Sequence, residues 1–207
     1  MDHKHQSRRR FLSGCVLGGL VGAAASWSVA RFWTSTKPLP APVTDGERPV
    51  VPPLDHDHFM RLAIEQAKKV PQLPFGAVLA HSESGQVMAA GHNLSAASPT
   101  FHGEIVTINR CAADHPHIDW PALVLYTTAE PCPMCQSAVE WAGISAVVYG
   151  ISIPRLVEQG WWQIDIRAEE VIRRTPFRQT ALLGGVLESE CNALFLAVPE
   201  GMYRKKK

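Results

Sequence analysis

Apolar residues occur in short runs along the chain, and each run ends at polar or turn-forming residues. One run covers residues 75–80 and a second covers 87–91, with Ser82-Glu83-Ser84-Gly85 between them. This arrangement predicts a β-hairpin. Three further runs of strand length lie at residues 123–127, 146–151 and 182–187.

Apolar residues spaced three or four apart predict amphipathic helices between these strands. The first predicted helix has Asp57 as its N-cap and carries Leu62, Ala63, Ile64, Ala67 and Val70. Two others begin near Glu104 and Cys132. Because strands alternate with helices, we predict an α/β fold with a central sheet covered on both faces.

The first 30 residues have a character of their own. Ser7-Arg8-Arg9-Arg10-Phe11-Leu12 is a twin-arginine export pattern, and residues 12–30 are uncharged and rich in Gly and Ala. Ser28-Val29-Ala30 offers small residues for cleavage. We therefore expect the twin-arginine translocase to export the chain to the periplasm. An uncleaved membrane anchor is the alternative, since about 17 residues can span a bilayer.

Residues 31–54 separate this segment from the globular part. Six prolines between Pro38 and Pro53 predict an extended, poorly ordered linker. Residues 55–207 then form one domain of ordinary size. Without residues 1–30 the chain has 16 Lys and Arg against 18 Asp and Glu, a formal charge of −2. We therefore expect no nucleic-acid partner, and we predict that the basic tail Arg204–Lys207 is a solvated terminus.

Three residues are candidate ligands for a metal: His102, Cys132 and Cys135. One imidazole and two thiolates would leave the fourth tetrahedral position of Zn²⁺ open for water. The metal lowers the pKa of such a water to about 7. Cysteines three apart at a helix start lie on one face, and the positive helix end favours thiolate. Glu104, two residues beyond His102, is predicted to shuttle the protons of a reaction at this water.

The same residues have other interpretations. A closed structural zinc site would need a fourth ligand, and His92, His115 and His117 are available. A lone Cys-x-x-Cys pair could instead be redox-active. Neither alternative gives Glu104 a role, so the open, catalytic site is favoured. The cluster Asp55-His56-Asp57-His58 could bind a second metal, but a polar helix entry is the simpler interpretation.

Two motifs carry a resemblance to the cytidine deaminase-like superfamily of zinc enzymes. They are His102-Gly103-Glu104-Ile105 and Thr128-Ala129-Glu130-Pro131-Cys132-Pro133-Met134-Cys135, with shorter matches at Phe75-Gly76-Ala77-Val78, Gly91-His92-Asn93 and Trp141-Ala142-Gly143-Ile144. Residues 57 to about 160 are similar to the guanine and nucleoside deaminase branch, with tRNA adenosine deaminases as near relatives. The active-site helix of this superfamily more often reads His-Ala-Glu, so Gly103 is a departure.

The resemblance implies a three-layer α/β/α sandwich with a five-stranded mixed sheet, and a homodimer. It also implies that Asn93 hydrogen-bonds the base and that Phe75 lines the pocket. The segment after about residue 160 matches less clearly. Because the corresponding segment can help to cover the active site in the guanine branch, its divergence leaves the substrate open.

These features predict a zinc-dependent hydrolase that removes the amino group of a nucleobase by attack of zinc-bound hydroxide, with guanine as the first choice. A nucleoside or cytosine is an alternative substrate. A tRNA adenosine is less favoured, because phosphate binding needs Lys and Arg and because tRNA is cytoplasmic. A non-catalytic zinc-binding envelope protein is the alternative from another class, and Glu104 argues against it.

Other cysteine, tryptophan and histidine residues have two interpretations each. Cys111 and Cys191 are expected to be buried free thiols, with a disulfide as the alternative. Trp161 and Trp162 either cap the pocket and stack on a base or pack in the core. His92 is expected to be a neighbour of the site and not a ligand.

Overall fold

A five-stranded mixed sheet forms the centre of the computed structural model, which describes residues 50–177, 179–201 and 203–205. The strands are β1 Gly76–His81, β2 Val87–His92, β3 Leu123–Ala129, β4 Ala146–Ile151 and β5 Ala181–Gly184. Their order in the sheet is β2-β1-β3-β4-β5. Strand β1 is antiparallel to β2 and β3, whereas β3, β4 and β5 are parallel.

Helices cover both faces of this sheet. They are α1 His56–Ala67, α2 Gly103–Asp114, α3 Pro133–Ala142, α4 Ile153–Glu158, α5 Ala168–Arg174 and α6 Glu188–Leu196. Helices α1 and α6 contribute to the core on one face, while α2 and α3 contribute to the core on the other. The predicted three-layer α/β/α sandwich is therefore confirmed.

Alternation along the strands separates the two cores. In β1, Val78 and Ala80 pack toward α1, while Ala77 and Leu79 pack toward α2 and α3. All seven residues of β3 are buried. Because side chains alternate across a strand, burial on both faces requires apolar or paired residues at every position. This is why the central strands read as continuous apolar runs in the sequence.

The predicted hairpin and the strands β3 and β4 are confirmed, but two details were wrong. Asp55, not Asp57, caps α1, and its carboxylate accepts a hydrogen bond of 3.0 Å from the His58 amide. Strand β5 ends at Gly184, not near Leu187, because the chain turns at Gly185, with φ of 84°, and again at Leu187, with φ of 49°, before α6.

Both ends of the described chain pack against the domain. Val51 and Leu54, at the end of the predicted linker, contact the core under α1. Arg204 does not belong to a solvated tail, because its guanidinium donates to the carbonyls of Gln159 at 3.0 Å and Val198 at 2.8 Å. These bonds satisfy carbonyls just after α4 and α6, which have no partner inside a helix.

The twin-arginine segment and most of the predicted linker lie outside the described residues. Within the described part, no helix is both long enough and apolar enough to cross a bilayer. Cys111 and Cys191 are buried free thiols in different cores, as expected.

Candidate active site

Helix α2 begins at the first candidate ligand. His102 is its N-cap residue in an extended conformation, and its carbonyl accepts the Val106 amide at 2.9 Å. Glu104 lies in the first turn and is buried, with 3% of its surface exposed. The helix start therefore presents an imidazole and a carboxyl group within one turn.

Helix α3 begins at the second candidate ligand. Cys132 is its N-cap residue, and Pro133 occupies the first position, where a missing N–H is tolerated. The Cys132 carbonyl accepts the Gln136 amide at 2.9 Å. Cys132 is half-buried and Cys135, one turn further along, is fully buried. Local chain geometry alone thus directs both sulfur atoms to the same side.

The two helix starts meet and form a three-residue cluster. His102 Nδ1 lies 3.6 Å from Cys132 Sγ. The ligand atoms of His102, Cys132 and Cys135 all lie within 4.8 Å of one another. No other His, Cys, Asp or Glu side chain joins the cluster among residues 50–177, 179–201 and 203–205. Three such ligands fit Zn²⁺ with one coordination position left open. Because His92, His115 and His117 are not in the cluster, none of them is a fourth ligand in the described part of the chain.

Electrostatics favour one thiolate in the cluster even before metal binds, while the pKa of the second thiol, that of Cys135, is raised by its hydrogen bond to Cys132. Hydrogen bonding from the Cys135 thiol lowers the pKa of Cys132 to about 4. The resulting thiolate raises the pKa of His102 through their hydrogen bond. Two positive helix ends add to the preference for negative charge here. A divalent cation would therefore replace protons that already balance a preformed anion.

Glu104 is placed to hold a proton. Burial raises the pKa of its carboxyl, and the charge of Cys132 raises it further. The Thr127 hydroxyl donates to Glu104 Oε1 at a long 3.3 Å, which fixes one oxygen. A carboxyl group can both accept and release a proton, as general acid–base catalysis requires.

Asn93 lies just after β2 on the wall of the same cleft and is buried, with 5% exposure. Its Oδ1 accepts hydrogen bonds from the Ser95 amide at 2.9 Å and the Ser95 hydroxyl at 2.7 Å. A carbonyl oxygen has two lone pairs, so this oxygen is fully used. The amide nitrogen is therefore the side-chain group left to contact a ligand, and it is a donor.

The cleft above the cluster has a volume of about 590 Å³ and aromatic walls. Phe75 lines it and makes edge-to-face contacts with Trp161 and Phe195, at 5.6 and 5.0 Å between ring centroids. Trp161 packs in the core and also lines the cleft, whereas Trp162 is 72% exposed at the cleft. Stacking of either ring on a base stays a prediction.

Gly103 is explained by the close approach of α2 to β1. A Cβ atom at this position would lie 2.7 Å from the Phe75 carbonyl oxygen. Real Cβ contacts are not this short, so an alanine would force the helix start and the strand apart. The departure from His-Ala-Glu thus allows α2 to sit directly on the backbone that carries Phe75.

Glu130 is a site residue to which sequence reasoning gave no role. Its buried carboxylate accepts from Arg167 Nε at 2.7 and 2.8 Å and from the amides of Ile153 and Ala168, both at 2.9 Å. Glu130 therefore joins the segment between β3 and Cys132 to the starts of α4 and α5. The available sequence signal was its position in the motif before Cys132, but its partners are distant in sequence.

The chemistry follows from what each group contacts. When bound at the cluster, Zn²⁺ supplies a nucleophilic water at neutral pH. The buried carboxyl beside the cluster is that of Glu104, and a carboxyl is a group that can accept and release protons. Asn93 presents an N–H donor to the cleft, and Phe75 presents an aromatic face. The apolar rings around the cleft exclude solvent, which strengthens polar contacts made inside it.

Comparison with known proteins shows to which family the chain is similar. Residues 54–151 match the family described as the cytidine and deoxycytidylate deaminase zinc-binding region. The tRNA-specific adenosine deaminase of Bacillus subtilis is 31% identical over 154 residues, which are 72% of this chain and 91% of the relative. Guanine deaminase of the same organism is 33% identical over 141 residues, 62% of this chain and 88% of the relative.

Solved structures agree on the fold. The guanine deaminase from Nitrosomonas europaea superposes with a TM-score of 0.60, at 24% identity, over 73% of this chain and 86% of that one. The candidate metal ligands and Glu104 all lie inside residues 54–151, which the family model matches. The chain belongs to the cytidine and deoxycytidylate deaminase family, whose members are zinc-dependent enzymes that hydrolyse a carbon–nitrogen bond.

Proposed function

We propose that this enzyme deaminates free guanine, converting guanine and water to xanthine and ammonia. The observation that carries the proposal is the fixed orientation of Asn93. Because Ser95 occupies Oδ1, the side chain can only donate to the base. Guanine presents a ring carbonyl acceptor one ring nitrogen away from its amino-bearing carbon. Adenine has no carbonyl and offers only ring nitrogens as acceptors, so the Asn93 donor would have to pair with one of these nitrogens instead.

The shape and charge of the cleft support a free purine. Cytosine also offers a carbonyl, but a cleft of about 590 Å³ with several aromatic walls suits a two-ring base better. No Lys or Arg lines the cleft in the described part of the chain. A tRNA substrate would need such groups to contact phosphates. The two Bacillus relatives are almost equally similar, at 31% and 33%, so the choice between them rests on the site.

A substrate panel tests the proposal. Ammonia release should be followed with guanine, adenine, cytosine, guanosine and a tRNA, using zinc-loaded protein. We expect guanine to give the highest kcat/KM of the set. An enzyme that leaves guanine untouched while it deaminates adenine, cytosine or the tRNA would refute the substrate assignment, although the family assignment would remain.

The role of Asn93 can be isolated with two variants. Asn93→Asp keeps an oxygen that accepts from Ser95 but removes the N–H donor, whereas Asn93→Ala removes both. We expect each variant to lower kcat/KM on guanine by more than about tenfold, as loss of at least 1.4 kcal/mol of transition-state binding requires. Zinc content should not change. Wild-type kcat/KM for Asn93→Asp would show that the donor does not read the base.

We also propose that the enzyme is exported through the twin-arginine pathway, on the strength of residues 7–12. Replacing Arg8 and Arg9 by Lys keeps the charge but removes the planar guanidinium groups. We expect the variant to accumulate in the cytoplasm while the wild type reaches the periplasm, as cell fractionation with a cytoplasmic marker would show. Equal export of the two proteins would reject this pathway.

A further inference from the structure

The outer part of the active-site cleft is larger than the chemistry requires. The reacting groups His102, Glu104 and Asn93 share the cleft with an outer set of side chains, Trp162, Ile164 and Tyr203. A volume of about 590 Å³ is in the range of clefts that hold drug-sized ligands, about 300–1,000 Å³. An unsubstituted base fills only part of such a space.

We name Trp162, Ile164 and Tyr203 the collar. Their exposed fractions are 72%, 59% and 40%, so each has unpaired apolar surface at the cleft. Exposed apolar side chains that gather at one binding cleft, and not singly over a surface, mark an interaction site. Two of the three are aromatic, and their flat faces suit another ring.

The chain terminus holds this collar in place. The backbone of Arg204 pairs with that of Trp161 in an antiparallel bridge, and the Lys205 amide donates to the Gly160 carbonyl at 2.8 Å. The Arg204 guanidinium bonds three main-chain carbonyls, including that of Gln159. Main-chain contacts therefore fix the segments that carry Tyr203 and Trp162. The position of each segment does not depend on the collar side chain of the other.

The collar is also uncharged. The charged side chains that line the cleft are at its buried end, where Glu104 faces the ligand cluster and Glu130 is neutralised by Arg167. A ligand group lying against the collar would thus find aromatic and aliphatic surface without a counter-ion. Such a surface favours a ring or an apolar group over a phosphate.

We propose that the collar is a second subsite, which binds an uncharged aromatic or apolar substituent carried by the base. With the amino-bearing carbon of a purine at the metal cluster, the imidazole edge lies at the opposite end of the ring system. A substituent on that edge extends toward the collar. This inference rests on the proposed function, because it assumes that a purine occupies the inner part of the cleft.

The test compares two guanines substituted at N9, one with a methyl group and one with a benzyl group, which differ only by a phenyl ring. In the wild type we expect the benzyl compound to have the lower KM. Trp162→Ala should raise that KM about fivefold or more, the lower end of ring stacking, and should raise the KM for the methyl compound much less. Trp162→Phe should retain most of the preference, whereas Trp162→Leu should not.

Trp141→Ala is the matched control. Trp141 is also exposed, at 60%, but lines a separate groove between α3 and α5. We expect it to leave the preference for the benzyl group intact. Equal effects of Trp162→Ala on both compounds, or loss of the preference in Trp141→Ala, would overturn the subsite. Tighter binding of guanosine monophosphate than of guanosine would also overturn it, since the collar would then accept phosphate.

Calorimetry separates failure of this inference from failure of the proposed function. Glu104→Gln protein loaded with zinc should bind the benzyl compound more tightly than the methyl compound whether or not either is hydrolysed. If the wild type turns over no guanine but this difference in affinity persists and vanishes in the Trp162→Ala background, the subsite stands and the reaction is misassigned. If the two compounds bind equally, the subsite is refuted even for an active guanine deaminase.

Discussion

Glu104→Gln should retain stoichiometric zinc and lose at least about 10²-fold in kcat, the lower end of the contribution of general acid–base catalysis. The amide keeps the size of the side chain and an oxygen that can accept from Thr127. It cannot take up a proton from water and return it to the leaving amine. Zinc content by atomic spectroscopy and turnover should be measured on the same preparation.

Glu140→Gln is the appropriate control for this variant. Both glutamates are 3% exposed, but Glu140 lies on α3 with Gln136 as its partner and does not line the active-site cleft. Its replacement should leave kcat near the wild-type value, because the new amide can still accept from Gln136. Near-normal turnover by Glu104→Gln would remove Glu104 from the mechanism.

The second large effect is expected from the ligands. Replacing His102, Cys132 or Cys135 by Ala should lower zinc affinity and reduce turnover by at least about 10³-fold, since metal activation of water is worth several kcal/mol. Zinc should raise the melting temperature of the wild type and not of these variants. A ligand that binds only the native state stabilises it by about 4 kcal/mol at a thousand times its Kd.

Cys111→Ala separates loss of a ligand from loss of a buried thiol. Cys111 is fully buried in the core under α2 and is not part of the ligand cluster. This variant should be somewhat less stable but should still bind one zinc per chain, and its melting temperature should still respond to zinc. A ligand variant that keeps tightly bound, stoichiometric zinc would exclude that residue from the metal site.

The metal site could be predicted from sequence because its geometry is mostly local. Cys132 and Cys135 are one helical turn apart, and His102 and Glu104 share the first turn of α2. The one non-local requirement is that the two helix starts meet, and the resemblance to a known superfamily supplied it. The strands were predictable for a similar reason, since burial on both faces leaves an unbroken apolar run.

Features that depend on distant contacts were not predictable. The role of Glu130 depends on Arg167, 37 residues away. One local feature was also missed, because the donor orientation of Asn93 depends on the conformation of its turn with Ser95. Arg204 looked like part of a basic tail because its acceptors are main-chain carbonyls, which carry no sequence signal. The position of Trp162 at the cleft likewise depends on the terminus that folds back against residue 160.

The most direct test of guanine deamination at this site is a zinc titration of turnover. Metal-free protein should be prepared by chelation, and xanthine formation should be measured as zinc is added. We predict no activity without metal and a linear rise that stops at one zinc per chain. Guanine turnover by the metal-free protein, or no xanthine at full zinc occupancy, would contradict the claim that this site uses one zinc to deaminate guanine.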